Sequence, residues 1–479
     1  MGYLYNYSIR VITLRYIWKF FNISTIWRNS STLEKSTINF TFLCYSLYEK
    51  HFPEEIMKIT SISLKKYLSI LLTLAIIAGS LISCTPTTGN QGTNVPDAEV
   101  GDFTVAETSV VMAQNMAIGW NLGNTLDATK DYEQNAGIDT ETYWGMLATT
   151  ESMITAVKNA GFKTIRIPVS WHNHITETTN YTIDSEWMTR VKQIVDWAYN
   201  KNMCVIINIH HDNLSISNIN GHIGFALSDD SAIQTQSKNY IEKIWTQIAT
   251  TFASYDNRLV FEVLNEPRDV GGEFKGNEWW TNNQEMINII TSYEQVGINA
   301  IRSVAGNENR FIMVPGYAAS GSDSSMLALY TMPTDTATDK LLLSTHAYSP
   351  YAFAMYDSNQ SEDDTVFDNT DKASLNAIFK YLKENYTDKG IGVVMGEASA
   401  TDKNNLSDRV AWATYYFSKA KEAGIPVVLW DNMVTANTPN STDIGERHGY
   451  YDRNSNTWYF PTMIQAMMKA VYGDNYPAQ

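Results

Sequence analysis

Eight short apolar runs, separated by longer amphipathic stretches, limit how this chain can fold more than any other feature. The runs span 117–122, 163–169, 205–209, 259–264, 311–314, 341–344, 391–396 and 427–430. Helix-period stretches at 188–199, 238–252, 286–305 and 408–423 fall between them. Parallel neighbours need a crossover connection, so strand–helix alternation of this kind predicts a parallel sheet. Eight repeats, with polar or aromatic residues at each strand's C-terminal end, favour a closed α/β (β/α)8 TIM barrel over an open sheet. Two helices run into a glycine, Gly161 and Gly424, the usual left-handed stop before the next strand.

The barrel accounts for 103–479 of the 479 residues. Upstream, 1–56 carry aromatics and Ile without periodicity or any domain signature. Met57 then opens a basic stretch with Lys58, Lys65 and Lys66, followed by an apolar run over 68–82 and Cys84. A basic region, an apolar region and a small-residue site form a secretory signal. Leu81-Ile82-Ser83-Cys84 resembles a bacterial lipobox, which makes Cys84 a lipidation site, Met57 the expected start and 1–56 an upstream extension of doubtful reality. The apolar run is shorter than the ~20 residues that a membrane span requires. Residues 85–102, rich in Thr, Pro, Gly, Asn and Gln, read as a flexible linker. This predicts a place at a bacterial cell envelope or surface, held by lipid. A formal net charge of −16 disfavours nucleic acid and anionic polymers and leaves neutral ligands open. Three cysteines provide no disulfide framework, and Cys204, inside a strand run, reads as a small buried hydrophobe.

The chemistry collects at the strand ends. The run over 259–264 delivers Asn265-Glu266 onto Pro267, which cannot continue a strand. The run over 391–396 delivers Glu397 in the same way. Two strand-end glutamates are the minimum apparatus for cleaving a glycosidic bond. Arg166 lies inside an apolar strand, where an unpaired charge is prohibitive, so a carboxylate partner is expected. His210-His211-Asp212 ends the third strand. It lacks metal-motif spacing, and histidines lining a sugar site are the better reading than a zinc centre. By alternation, His346 and Tyr348 share one side of the sixth strand's end. Trp430 ends the eighth, poised to stack on a sugar ring.

Together, N-L-G-N-T-L-D (121–127), I-R-I-P-V-S-W (165–171), H-H-D (210–212), L-N-E-P (264–267), H-A-Y-S-P (346–350), G-E (396–397) and L-W-D-N (429–432) resemble glycoside hydrolase family 5. The resemblance covers most of 103–475 and is nearest to the bacterial endo-β-1,4-glucanase branch that includes xyloglucan- and mixed-linkage-glucan-active enzymes. It implies retaining hydrolysis with Glu266 as general acid/base and Glu397 as nucleophile. Asn265 would hold the 2-hydroxyl, Arg166 and Tyr348 would flank Glu397, and His346 would sit beside Glu266. His210, His211 and Asn121 would help line the site, and Trp430 would floor the sugar at the scissile bond. Glu266 must start protonated, which partial burial and a neighbouring carboxylate would achieve by raising its pKa. The chain departs from the pattern at Ala398-Ser399-Ala400, where Phe-Gly often follows the nucleophile, and at Met433, where Gly is common.

Trp171, Trp279 and Trp280 are candidates for outer subsites, with packing at the barrel rim an equal alternative for each. The expected partner is a plant β-glucan: xyloglucan, mixed-linkage glucan or soluble cellulose. No cofactor or metal is expected, and the chain is expected to act as a monomer. Two rivals stand beside this reading, an endo-β-mannanase of the same family and a non-catalytic glycan-binding lipoprotein.

Overall fold

The computed structural model describes residue 95 and residues 97–98, 100–355, 364–439, 441–473 and 476. The upstream extension, the 57–84 signal with Cys84 and the first part of the linker lie outside the described residues. All eight apolar runs are strands of one closed barrel: β1 Ile118–Asn121, β2 Thr164–Ile167, β3 Cys204–Asn208, β4 Leu259–Glu262, β5 Ile312–Ser320, β6 Leu341–His346, β7 Gly392–Ala398 and β8 Val427–Leu429. Every neighbouring pair is parallel, and β8 closes the ring on β1.

The helices longer than one turn are α1 Ser109–Met116, α2 Glu151–Asn159, α3 Ser185–Tyr199, α4 Ser231–Thr251, α5 Gln284–Ser303, α6 Ser324–Leu329, α7 Asn369–Asn385, α8 Leu406–Glu422 and α9 Pro461–Tyr472. Several begin earlier than the apolar rhythm indicates. The reason is capping: Asp184, Asp230 and Asn283 accept backbone N–H groups and open a polar first turn before the buried stripe starts. Gly424 takes φ +75°, the left-handed stop expected after α8.

Side-chain alternation sorts the barrel into tiers. Outward-facing Ile165, Val205, Ile207, Phe261 and Leu343 join the large core between strands and helices. Inward-facing Cys204, Ile206, Val260, Met313, Leu342, Val394 and Val428 fill the bottom of the barrel, closed from below by Met112, Ala113 and Met116 of α1. One step higher along the strands the interior turns polar, with Asn121, Arg166, Asn208, Glu262 and Ser344 all fully buried. That polar tier carries the mouth of the barrel.

Val95, Ala98 and Asp102, within the expected 85–102 linker, touch the barrel. Val95 is buried in the main core, the Ala98 N–H donates to the Asn159 carbonyl at 2.7 Å, and Lys158 pairs with Asp102 at 3.3 Å. Apolar residues hidden among the Pro, Asn and Asp of this stretch dock it on the barrel. Among the described residues no helix is long and apolar enough to cross a membrane.

Candidate active site

Arg166 is the hub of the polar tier. Its guanidinium donates from Nε to Glu262 at 2.8 Å, from Nη1 to Glu397 at 2.7 Å and to Asn121 at 3.0 Å, and from Nη2 to Asn265 at 2.6 Å. The carboxylate partner expected for this buried charge is therefore two carboxylates, one below it and one at the mouth. Glu262 also accepts from Asn208 Nδ2 at 2.8 Å and from Ser344 Oγ at 2.5 Å. Every oxygen of this buried acid is satisfied, as its burial demands.

At the mouth, Tyr348 Oη donates to the other oxygen of Glu397 at 2.8 Å. Glu266 pairs with His346 Nδ1 at 2.8 Å, and Arg268 Nη1 lies 4.0 Å from its second oxygen. Oxygens of Glu266 and Glu397 lie within 4.8 Å of one another, with His346 between them. Retaining glycosidases place their two carboxyl groups about 5–5.5 Å apart, and inverting ones leave ~6.5–9.5 Å for a water. This pair has the closer spacing.

A cavity of about 780 Å³ opens over the pair. Trp430 lines it beside the His210 ring, the two planes within 3° of parallel and centred 6.0 Å apart. A Cβ on Gly123 would come within 2.9 Å of the indole, so a bare backbone there lets the loop after β1 press against Trp430. His211 and Trp279 also line the cavity, and Trp279 is stacked 4.0 Å from the Arg268 guanidinium.

Four expected contacts stand elsewhere. Trp171 is fully buried and donates Nε1–H to the Asn208 carbonyl at 2.8 Å, so it packs the barrel wall and offers no sugar platform. Asn121 is also fully buried: it accepts from Arg166 and donates to the Gly396 carbonyl at 2.9 Å. Arg166 itself lies beneath the cavity, reaching it only through Glu397 and Asn265. Trp280 is exposed but absent from the cavity lining. Glu262, Asn208, Trp144, Tyr351, Glu446 and His448 were not singled out in the sequence. The first two hide inside strands that read as apolar, and the others sit on loops or, for Tyr351, on a single helical turn, whose course no periodicity announces.

The model of the family described as Cellulase (glycosyl hydrolase family 5) matches residues 126–435. Endoglucanase A of Clostridium longisporum is 36% identical over 84% of this chain and 72% of its own length. The chain belongs to glycosyl hydrolase family 5. It is a glycoside hydrolase. Cellulase/esterase CelE of Acetivibrio thermocellus is 35% identical over 85% of the chain, which spans about half, 47%, of that longer protein. Among solved structures, a family 5 lichenase from Caldicellulosiruptor sp. F32 in complex with cellotetraose superposes with a TM-score of 0.68 at 36% identity, covering 79% of this chain and 100% of that one. A broad specificity endoglucanase from Ruminococcus champanellensis with bound cellotriose gives 0.67 at 38%, covering 76% and 98%.

In this family 5 site the charges differ from the sequence expectation in one respect. Burial pushes Glu266 upward, but the hydrogen bond and charge of His346, with Arg268 behind them, outweigh it and hold the carboxyl below its usual range. Burial pushes His346 downward, yet the charges of Glu397 and Glu266 hold it above its usual range. The neighbouring carboxylate thus acts on the histidine, and both shifts favour a proton on the imidazole over one on the carboxyl. A proton resting on Nδ1, 2.8 Å from the carboxylate oxygen, remains available to Glu266.

Two clusters have metal-ligand types close together, Glu266–His346–Glu397 and Asp127–His210–His211. The second does not suit a metal. The Val169 N–H donates to Asn208 Oδ1, which leaves the amide nitrogen to donate to His210 Nδ1 at 3.0 Å. His210 therefore carries its hydrogen on Nε2 and has no lone pair there to offer a cation. Burial holds His210 well below the usual imidazole pKa and brings His211 down to about 4, so both stay neutral. Asp212, the third member of the H-H-D run, faces the other way and binds His172 at 2.7 Å and Tyr240 at 2.9 Å.

Both departures from the family pattern have local explanations. Ser399 binds His448 Nδ1 at 2.9 Å and Tyr450 Oη at 3.0 Å, tying β7 to the loop after β8. Met433 takes φ +63°, the left-handed region in which glycine carries no Cβ penalty.

Proposed function

We propose that this family 5 chain is a retaining endo-β-1,4-glucanase that hydrolyses neutral plant β-glucans by double displacement. The observation that carries the reading is the close approach of Glu266 and Glu397, each held by its own partners. Arg166 and Tyr348 donate to Glu397 and hold both its oxygens in place as the nucleophile. Its oxygen attacks the anomeric carbon, and the bond to the leaving oxygen breaks as Glu266 delivers the proton held with His346. Water, deprotonated by Glu266, then cleaves the glycosyl ester with net retention. Because Asn265 Oδ1 accepts from Arg166, its amide N–H groups face the cavity as donors for the 2-hydroxyl. Trp430 supplies the floor, and neutral His210 offers Nε2–H to a hydroxyl.

Xyloglucan, mixed-linkage glucan and soluble cellulose are the substrates this reading names, supported by the lichenase and broad-specificity neighbours and by a cavity open to solvent. The test compares reducing-end release from xyloglucan, mixed-linkage glucan and carboxymethylcellulose, with Glu397→Ala as blank, and follows the anomer of the first product by NMR. Release above the blank with a β-configured first product supports the proposal, and an α-configured one refutes retention. Blank-level release from all three, with turnover of mannan, would assign the mannanase instead. Blank-level release with binding alone would leave a glycan-binding lipoprotein.

We further infer a lipid anchor at Cys84, on the basic–apolar–Cys pattern of 57–84. Failure of fatty-acid label to enter the native protein, or unchanged labelling in Cys84→Ser, would dismiss it.

A further inference from the structure

His448, on the loop after β8, lines the active-site cavity and is buried there, yet the two displacements give it no task. Its Nδ1 bonds Ser399 Oγ at 2.9 Å, and its Nε2 has no hydrogen-bond partner. Burial, with the charge of Arg409 behind it, brings the imidazole down to about 3, so the ring is neutral near pH 7. A neutral ring so far from its working range neither charges the cleft nor serves it as an acid or base.

What the ring does touch is Tyr348. The two rings are centred 5.3 Å apart and tilted by 52°, and Tyr348 Oη donates to Glu397 at 2.8 Å. Ser399 stands two residues beyond Glu397 in the chain. The contacts therefore close on themselves, from Glu397 to the phenol hydroxyl, across the two rings to His448, and through Nδ1 back to Ser399. The loop that carries His448 is pinned as well. The Asp402 N–H donates to the Arg447 carbonyl at 2.8 Å, and Ser399 Oγ also meets Tyr450 Oη at 3.0 Å. A Cβ on Gly449 would come within 2.6 Å of the Met433 carbonyl carbon, so bare backbone lets this loop seat against the residues that follow Trp430. Ser399 is one of the chain's departures from the family pattern, and its hydroxyl is the anchor.

We propose that His448, anchored by Ser399, is a positioning residue for the nucleophile, packing the Tyr348 ring so that its hydroxyl stays on Glu397. The proposal rests on the reading of Glu397 as nucleophile. A carboxylate held at one oxygen by Arg166 and at the other by Tyr348 presents a single orientation to the anomeric carbon. With the phenol free to swing, Arg166 alone would still donate to it.

His448→Ala and Ser399→Ala test this, each alone and combined with Tyr348→Phe, on an aryl β-cellobioside with urea unfolding alongside. His448→Ala should lower kcat about three- to tenfold, the worth of one neutral hydrogen bond, with KM within about twofold. Ser399→Ala should act in the same direction and by less. In Tyr348→Phe, which has already lost the hydroxyl, neither change should cost more than about twofold further. His448→Phe keeps a ring against Tyr348 and should recover most of the loss. Parental kcat in both alanine variants overturns the proposal, as does a lack of recovery in His448→Phe. So does a full loss that persists in Tyr348→Phe, which would place the effect in the fold, or a change confined to KM, which would make His448 a substrate contact. Should His448→Ala fail to fold, Ser399→Ala carries the same cycle. If Glu397→Ala keeps parental activity, the nucleophile reading itself fails, a result distinct from the others.

Discussion

Replacing Glu262 by Gln isolates the charge at the centre of the barrel. The side chain is fully buried, with one oxygen accepting from Arg166 Nε at 2.8 Å, Arg166 Nη2 at 2.7 Å and Asn208 at 2.8 Å, and the other accepting from Ser344 at 2.5 Å. The amide fits the same space. With its carbonyl toward Arg166 and its nitrogen toward Ser344, whose hydroxyl can turn to accept, every bond has a replacement. Only charge is lost, and Arg166 is left with Glu397 as its one ionic partner. A hydrogen bond to a charged group contributes ~1.5–3 kcal/mol against ~0.5–1.5 for a neutral one, and the three bonds are coupled. The expected destabilisation is therefore about 2–3 kcal/mol, below the ~3–5 kcal/mol of breaking a buried pair outright, which Glu262→Ala should approach. Urea unfolding of both variants measures this, with Arg166→Met and the double mutant completing a cycle. A Glu262→Gln protein within ~0.5 kcal/mol of the parent, or strict additivity in the cycle, would refute the reasoning.

Other perturbations separate the remaining parts of the site. His346→Gln removes the group that holds the last proton of the pair above the ordinary imidazole value of 6.5, so the basic limb of kcat/KM should move to lower pH, and an unmoved limb would dismiss the shared proton. For stability, the raised His346 contributes fully below 6.5 and is lost as pH rises through its folded value, whereas the lowered Glu266 contributes above 4.5 and is lost as pH falls through its own. The pair's contribution should thus be greatest between those two values, and the wild-type minus His346→Gln difference in unfolding free energy should decline on both sides. Trp171→Ala should cost about 3–5 kcal/mol in denaturant unfolding with little change in KM, while Trp430→Ala should raise KM and lower kcat with a smaller stability loss. Activity should survive exhaustive chelation, since His210 lacks a free lone pair toward the cleft; loss restored by one added metal would overturn that argument.

Much of this molecule is legible in the chain. Strand runs and their order depend on local pattern, and a parallel closed barrel is what eight such repeats can bury, so all eight strands fall where the apolar runs lie. The mouth residues Asn265, Glu266, His346, Tyr348, Glu397 and Trp430 were legible too, because each follows an apolar run directly and the barrel places strand ends together. Helix starts were less so, because a polar capping turn carries no apolar rhythm.

What tertiary structure alone decided is which polar residues meet inside. Glu262 and Asn208 sit one step below the mouth in strands that look apolar, and only closure of the ring brings them to Arg166 from neighbouring strands. Asn121 and Trp171 belong to the right motifs but point below the cleft or into its wall, a matter of register and packing. The position of the proton is likewise a tertiary property: it depends on His346 reaching Glu266 at 2.8 Å while remaining 3.7 Å from Glu397, and linear order holds no such distances. Sequence determined the architecture and which residues reach the mouth because both follow from local periodicity, and folding decided their partners because contacts depend on separation in space.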